Sequence, residues 1–169
     1  LDEIKIDKEL FKNLIYKRSS HRNYLEKEVP ISIINEITEL VRFSPTATNS
    51  QSVHLTVINN KEKVKEFSDH VMLYFKKLSY FFNIFTFPFF VIFFGYNKAK
   101  KFFRYKKQIK RYFDGENILT FDAPSLIFFH TRDNSSSMPA DDCNIAATIV
   151  NLYLEINKLG ACFIGFIFN

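Results

Sequence analysis

Two short polar runs hold the residues whose types and spacing can do chemistry. Arg18-Ser19-Ser20-His21-Arg22 sets two guanidinium groups four positions apart, with two hydroxyls and their backbone N–H groups between them. A phosphate monoester asks for that set: a forked donor, a second charge and short-range donors within one turn. The second run, Pro45-Thr46-Ala47-Thr48-Asn49-Ser50-Gln51, is rich in amides and hydroxyls. Such groups suit the carbonyls, ring N–H and sugar hydroxyls of a polar, planar cofactor. Either run alone is a weak signal.

Other chemistries find no support. The four histidines, His21, His54, His70 and His130, are scattered without a paired spacing, so no metal ligands are assigned. Two cysteines cannot build a disulfide framework or a four-thiolate cluster, and Cys143 and Cys162 read as free thiols. No nucleophile elbow, phosphate loop, dinucleotide fingerprint or zinc-protease helix motif occurs. Asp141-Asp142 follow Pro139 at a helix start, where carboxylates are expected as dipole partners. No catalytic side chain is nominated.

The elements that must position the two runs are legible from periodicity. Lys8–Tyr16 reads as a short amphipathic helix leading into the arginine run. Ile31, Ile34, Ile37, Leu40 and Val41 recur at helical steps, predicting a helix from about 31 to 43 with Ser32 available to cap it. Val53–Asn59 alternates as a strand, and Asn60 caps a helix through about Leu78. Phe89–Phe94 and Leu126–His130 read as buried strands, with a basic helix between them whose inner face draws on Phe102, Phe103, Ile109 and Phe113. A helix from Pro139, with Ile145, Ile149, Leu152, Ile156 and Leu159 as its apolar positions, runs to Gly160 as its C′ residue, and Ala161–Phe168 is a last strand. One sheet covered by helices accounts for this order, and 169 residues fit one domain spanning 1–169. The chain stops directly after an apolar run, which sets the expectation of a longer polypeptide, incomplete at its C-terminal side. It opens without a basic-then-apolar leader, so a cytoplasmic location is the expectation.

Composition bounds the partners. At 47% hydrophobic and 24% charged residues the chain lies far from the disordered corner. The net charge of +5 is local: residues 96–113 carry +8 with no acid, leaving −3 on the rest. A solvated helix face is the plain reading of that stretch, and neither nucleic acid nor a membrane is expected as a partner. Tyr80–Tyr96 contains eight phenylalanines, but Asn83, Thr86, Pro88 and Gly95 interrupt it, arguing against a membrane span.

The paired motifs carry a resemblance. Arg18-Ser19-Ser20-His21-Arg22-Asn23-Tyr24, then Val29-Pro30, then Phe43-Ser44-Pro45 through Gln51-Ser52-Val53-His54, closely resembles the flavin-binding opening of the nitroreductase family. Phe121-Asp122-Ala123-Pro124, Asp142 with Ala146, Asn151, and Leu159 through Gly165 look like that family's later landmarks. Ser19 stands where the family has a second arginine and Ser52 where many members have proline. Members usually continue past the Gly165 region to a basic residue that closes on the phosphate.

The resemblance implies an α+β fold, with a central mixed or antiparallel sheet flanked by helices, in an intertwined homodimer with FMN at the interface. It implies that Arg18, Ser20 and Arg22 hold the FMN phosphate and ribityl chain, with Ser19 adding a contact. Pro45, Thr46, Asn49 and Gln51 would approach the ring, partly from the partner subunit, and Ile164 and Gly165 would line it. The activity so implied is an oxidoreductase passing hydride from NAD(P)H, or electrons from a ferredoxin-type iron–sulfur donor, to a small acceptor such as a nitroaromatic or quinone. Two alternatives stand beside it: a non-catalytic basic module using residues 98–111 on nucleic acid or an anionic membrane, and a flavin relative with dehalogenase or flavin-destructase chemistry.

Overall fold

The structure is a computed structural model that describes residues 7–81, 83, 85–132 and 135–165, without the side chains of 102 and 103. Six helices and two strands follow in the order α1 (Lys8–Lys17), α2 (Ile31–Arg42), β1 (His54–Ile58), α3 (Lys61–Ser79), α4 (Phe87–Phe94), α5 (Tyr96–Phe113), β2 (Leu126–His130) and α6 (Pro139–Ile156), with a 3₁₀ turn at Ala47–Asn49. The strands pair antiparallel, with His54 opposite His130 and Ile58 opposite Leu126. Among the described residues this two-stranded ladder is the whole sheet.

The ladder works as a partition. Leu55, Ile127 and Phe129 pack on one side against a core of Ile37 and Val41 from α2 with Ala146, Val150 and Leu154 from α6. On the other side Phe128 meets Phe67 of α3 edge to face, their ring centroids 5.2 Å apart. A second core joins Met72 of α3 to Ile109 and Tyr112 of α5 and to Leu119. Beside it the Tyr112 hydroxyl donates to Asp69 at 2.7 Å, and Ser68 and Thr120 share a buried hydrogen bond at 2.9 Å.

Side-chain caps set the starts of α1 and α3. Asp7 accepts from the N–H groups of Glu9 and Leu10, and Asn60 accepts from that of Lys63. Ser32 does not cap α2. Pro30 holds the N-cap, and its carbonyl takes the N–H groups of Ile33 and Ile34, because Ser32 already lies inside the first turn.

Five further expectations are corrected. Phe89–Phe94 is not a buried strand but part of α4, with Pro88 in its first turn and Gly95, at φ +83, ending it. A short apolar run has no period to separate strand from helix, and only its proline decides. The helix from Pro139 ends at Ile156; Lys158 takes the left-handed position at φ +57, so Gly160 is not its C′ residue. Its buried face is Asp142, Ala146, Val150, Asn151 and Leu154, whereas Ile145 and Ile156, expected inside, are exposed. Residues 161–165 form no strand, the Ala161 carbonyl being taken instead by the His21 N–H in the loop after α1, while 166–168 lie outside the described residues. On α5, Ile109 is buried as expected, Phe113 is exposed and Ala99 and Tyr112 fill the inner face; the Phe102 and Phe103 side chains lie outside the description.

Ile37 is 1% exposed at the centre of the α2–α6 core. Truncating it to alanine removes three carbons from a filled site and is expected to cost about 2–5 kcal/mol, read as a lowered urea midpoint at unchanged slope.

Candidate functional site

The arginine loop begins where α1 ends, with the Arg18 N–H donating to the Leu14 carbonyl at 3.0 Å. Its fixed point is His21. The His21 N–H donates to the Ala161 carbonyl at 3.1 Å, and its ring Nε2 lies 3.5 Å from a Glu155 carboxylate oxygen. The Tyr24 hydroxyl closes the loop by donating to the His21 carbonyl at 2.7 Å. Gly160 makes the approach possible: a Cβ there would stand 2.7 Å from the Cβ and Cγ of His21. Glycine is therefore required at 160 for close contact.

This docking lays residues 160–162 along the arginine loop. Burial, followed by the Cys162 thiol, pushes the Tyr24 phenol above its ordinary pKa, while Arg22 works the other way, so all three groups share one neighbourhood. Ile164 packs on the second core. Among the described residues no carboxylate pairs with Arg18 or Arg22, and the Arg22 guanidinium stands 5.6 Å from the ring centroid of Phe121. An open groove of about 490 Å³ runs beside it, lined by Arg22, Tyr24, Lys61, Asn117, Phe121 and Asp122. Gly160, Ala161 and Cys162 thus meet the arginine loop at His21 and Tyr24.

The amide-rich loop sits elsewhere and is built differently. Thr48, Asn49 and Gln51 all have left-handed backbones, with φ of 56°, 54° and 48°. Asparagine tolerates that region, but a β-branched threonine is an outlier there. The loop holds this shape through its own polar groups. The Gln51 N–H donates to Thr46 Oγ1 at 2.9 Å, and the Thr48 hydroxyl donates to the Ala47 carbonyl at 2.7 Å. Pro45, Asn49 and Gln51 are exposed and Thr46 is half-buried.

The anchor of this loop is a residue that helix-start reasoning assigned to the dipole alone. Asp142 is 2% exposed; one carboxylate oxygen accepts from the Ala47 N–H at 2.8 Å and the other from the Ser136 hydroxyl. Its sequence signal was the four-residue spacing Asp142, Ala146, Val150, which puts the carboxylate on the buried face of α6 while Asp141 faces solvent. Cys143 next to it is held as a thiol: burial first, and the charge of Asp142 second, push its pKa up. Among the described residues no cluster of three metal-ligating side chains occurs.

The two loops are therefore anchored at separate points of the fold. The amide-rich loop is tied to α6 at Asp142, and the arginine loop docks at Glu155 and beyond. Those positions stand 13 residues apart on one helix, about 20 Å along its axis.

Two substitutions probe the anchors. Asp142→Ala leaves the Ala47 N–H without its charged acceptor, at a cost of about 1–3 kcal/mol, and is expected to raise amide exchange selectively at residues 47–51; Asp142→Asn keeps an acceptor oxygen and restores most of the protection. Gly160→Ala is expected to lift the arginine loop from the 160–162 segment, seen as lost exchange protection of the His21 amide with the α2–α6 core unaffected.

The comparisons agree with this architecture. The nitroreductase family profile matches residues 15–81, which contain both loops. Among solved structures, the chain is similar to a nitroreductase with bound FMN from Bacteroides fragilis, at 19% identity and TM-score 0.66, over 94% of this chain and 70% of that one. It is similar also to an FMN-dependent nitroreductase from Clostridium difficile, at 21% identity and TM-score 0.64, over 91% of this chain and 59% of that one. A third likeness is to an FMN-dependent nitroreductase from Mycobacterium smegmatis in complex with NADPH, at 16% identity and TM-score 0.61, over 91% and 73%. No curated protein matches in sequence. The chain thus spans less than two thirds of the Clostridium difficile protein, and identities this low speak for fold. Residues 15–81 are identified as nitroreductase-family sequence, and the structure built on them is nitroreductase-like.

Proposed function

We propose that the protein is an FMN-dependent oxidoreductase that takes hydride from NAD(P)H and passes it to a small electron acceptor such as a nitroaromatic or a quinone. The observation that carries this reading is the loop with left-handed backbones at Thr48, Asn49 and Gln51, held by a buried carboxylate, in a chain where, among the described residues, neither Arg18 nor Arg22 has a carboxylate partner. Backbone strain of this kind persists only where surrounding structure enforces it, and it concentrates at ligand sites.

The residues present fit FMN. Arg18 and Arg22 supply two guanidinium groups to its phosphate, and Ser19 and Ser20 add hydroxyl and N–H donors, all on an exposed loop pinned at His21. Pro45, Thr46, Asn49 and Gln51 present a shaped rim of amide, hydroxyl and backbone groups for the ring, and Ile164 and Gly165, which follow the stretch docked on His21, are assigned to a second wall. When bound, FMN supplies hydride acceptance and release at its N5. The chain's part is to hold the ring, fix its face and exclude water from it, which explains why no acid, base or nucleophile stands out. An NADPH complex of the Mycobacterium smegmatis protein supports a nicotinamide donor.

The roughly 20 Å between the two anchor positions on α6 favours a site completed by a second copy, each chain giving its arginine loop to one ring and its amide-rich loop to the other. The outward apolar positions Ile145 and Ile156 on α6, 40% and 63% exposed, provide a face for that partner.

The test is the visible spectrum of the concentrated protein with added FMN. Bound oxidised-flavin bands that bleach with NAD(P)H are the expected result; bleaching only with dithionite would replace the nicotinamide donor by a protein one. Arg18→Ala with Arg22→Ala is expected to weaken FMN about a hundredfold or more while the circular dichroism is unchanged, since each charge-assisted contact is worth about 1.5–3 kcal/mol. Full occupancy in that double variant would refute the phosphate assignment.

A further inference from the structure

The segment between α3 and α5 carries a surface of its own kind. Helix α4 reads Phe-Pro-Phe-Phe-Val-Ile-Phe-Phe without one polar side chain, yet it is not buried. Phe89, Ile92 and Phe93, at i, i+3 and i+4, point outward, and Phe85 just before them is 83% exposed. Monomeric surfaces rarely carry a contiguous apolar patch of this kind without a partner for it. It packs against α5, where Lys100, Arg104, Lys107 and Lys110 form an exposed stripe opposite the buried Ile109 and Tyr112. Over Tyr96–Phe113 there are eight cations and no anion.

Charge complementarity selects the occupant. A second copy related by a two-fold axis would set one cationic helix near another. A nucleic acid would meet the cations but leaves the phenylalanine face with nothing to cover it. A bilayer with acidic headgroups satisfies both helices together: aromatic side chains enter the boundary between headgroups and acyl chains, and lysines and arginines rest among the phosphates above. No helix among the described residues is long and apolar enough to cross a membrane, and this contact needs none.

We propose that α4 and α5 together form an interfacial element that docks the protein on anionic lipid surfaces, with Phe85, Phe89, Ile92 and Phe93 inserted and the cations of α5 on the headgroups. This inference is independent of the flavin reading, since it uses no residue of either loop.

Co-sedimentation with vesicles tests it. The full chain is expected to bind vesicles of equal parts phosphatidylglycerol and phosphatidylcholine, to ignore phosphatidylcholine alone, and to dissociate as salt is raised. Replacing Lys100, Arg104, Lys107 and Lys110 by glutamine lowers partition about fivefold for each charge removed. Phe89→Ser with Phe93→Ser also lowers partition, with the circular dichroism spectrum as the check on folding. Three outcomes overturn the proposal: no binding to the anionic vesicles; binding that the serine pair leaves intact and duplex DNA competes away, which makes α5 a polyanion site; or a serine pair that leaves vesicle binding intact and instead dissociates an oligomer, which makes α4 a contact between copies.

Discussion

A carboxylate with both oxygens committed organises one end of this molecule. Asp142 sits on the buried face of α6, among the residues that pack against α2, and from there it holds the backbone of Ala47 and the hydroxyl of Ser136. Burying a charge is costly unless its lone pairs are taken up, and here a backbone N–H and a hydroxyl take them. The position of the amide-rich loop thereby becomes a property of the core. At the other end of the same helix, Glu155 and the turn beyond it receive His21. Helix α6 is in effect a ruler: its length sets the distance between the anchors of the two loops.

Helices with a cap or a strong period were legible from the sequence. Asn60 before α3, Pro139 before α6 and the isoleucine spacing of α2 each act within a few residues of the element they define. The failures have two causes. Phe89–Phe94 has no period of its own and its proline decided for a helix, and whether Ile145 or Ala146 faced inward was decided by partners distant in sequence. The small alanines 146 and 147 are buried because α6 lies close to its neighbours, and no hydrophobicity count places alanine ahead of isoleucine. The 161–165 segment is apolar enough for a strand, but His21 takes the Ala161 carbonyl.

The same division applies to the loops. Residue types in Arg18–Arg22 and Pro45–Gln51 announced their chemistry because cations, amides and hydroxyls clustered without an apolar period. The anchors were silent: Asp142 resembled any first-turn acid, and Gly160 resembled a helix terminator. An anchor acts through a contact whose other half is far along the chain, so one sequence shows only half of it. The groups that meet a ligand were therefore easier to read than those that hold them still.

Thr48 gives the amide-rich loop a thermodynamic character of its own. A threonine held at φ +56 sits above its resting conformation by roughly 1–3 kcal/mol, against a net stability for domains of this size of about 5–15 kcal/mol. Glycine at that position would relieve the strain and remove the hydroxyl that bonds to Ala47, giving a sturdier fold with a looser rim. The optimum for keeping the chain folded and the optimum for keeping this loop in shape are thus different sequences. Directed selection for heat resistance alone would drift toward the first and erode the second.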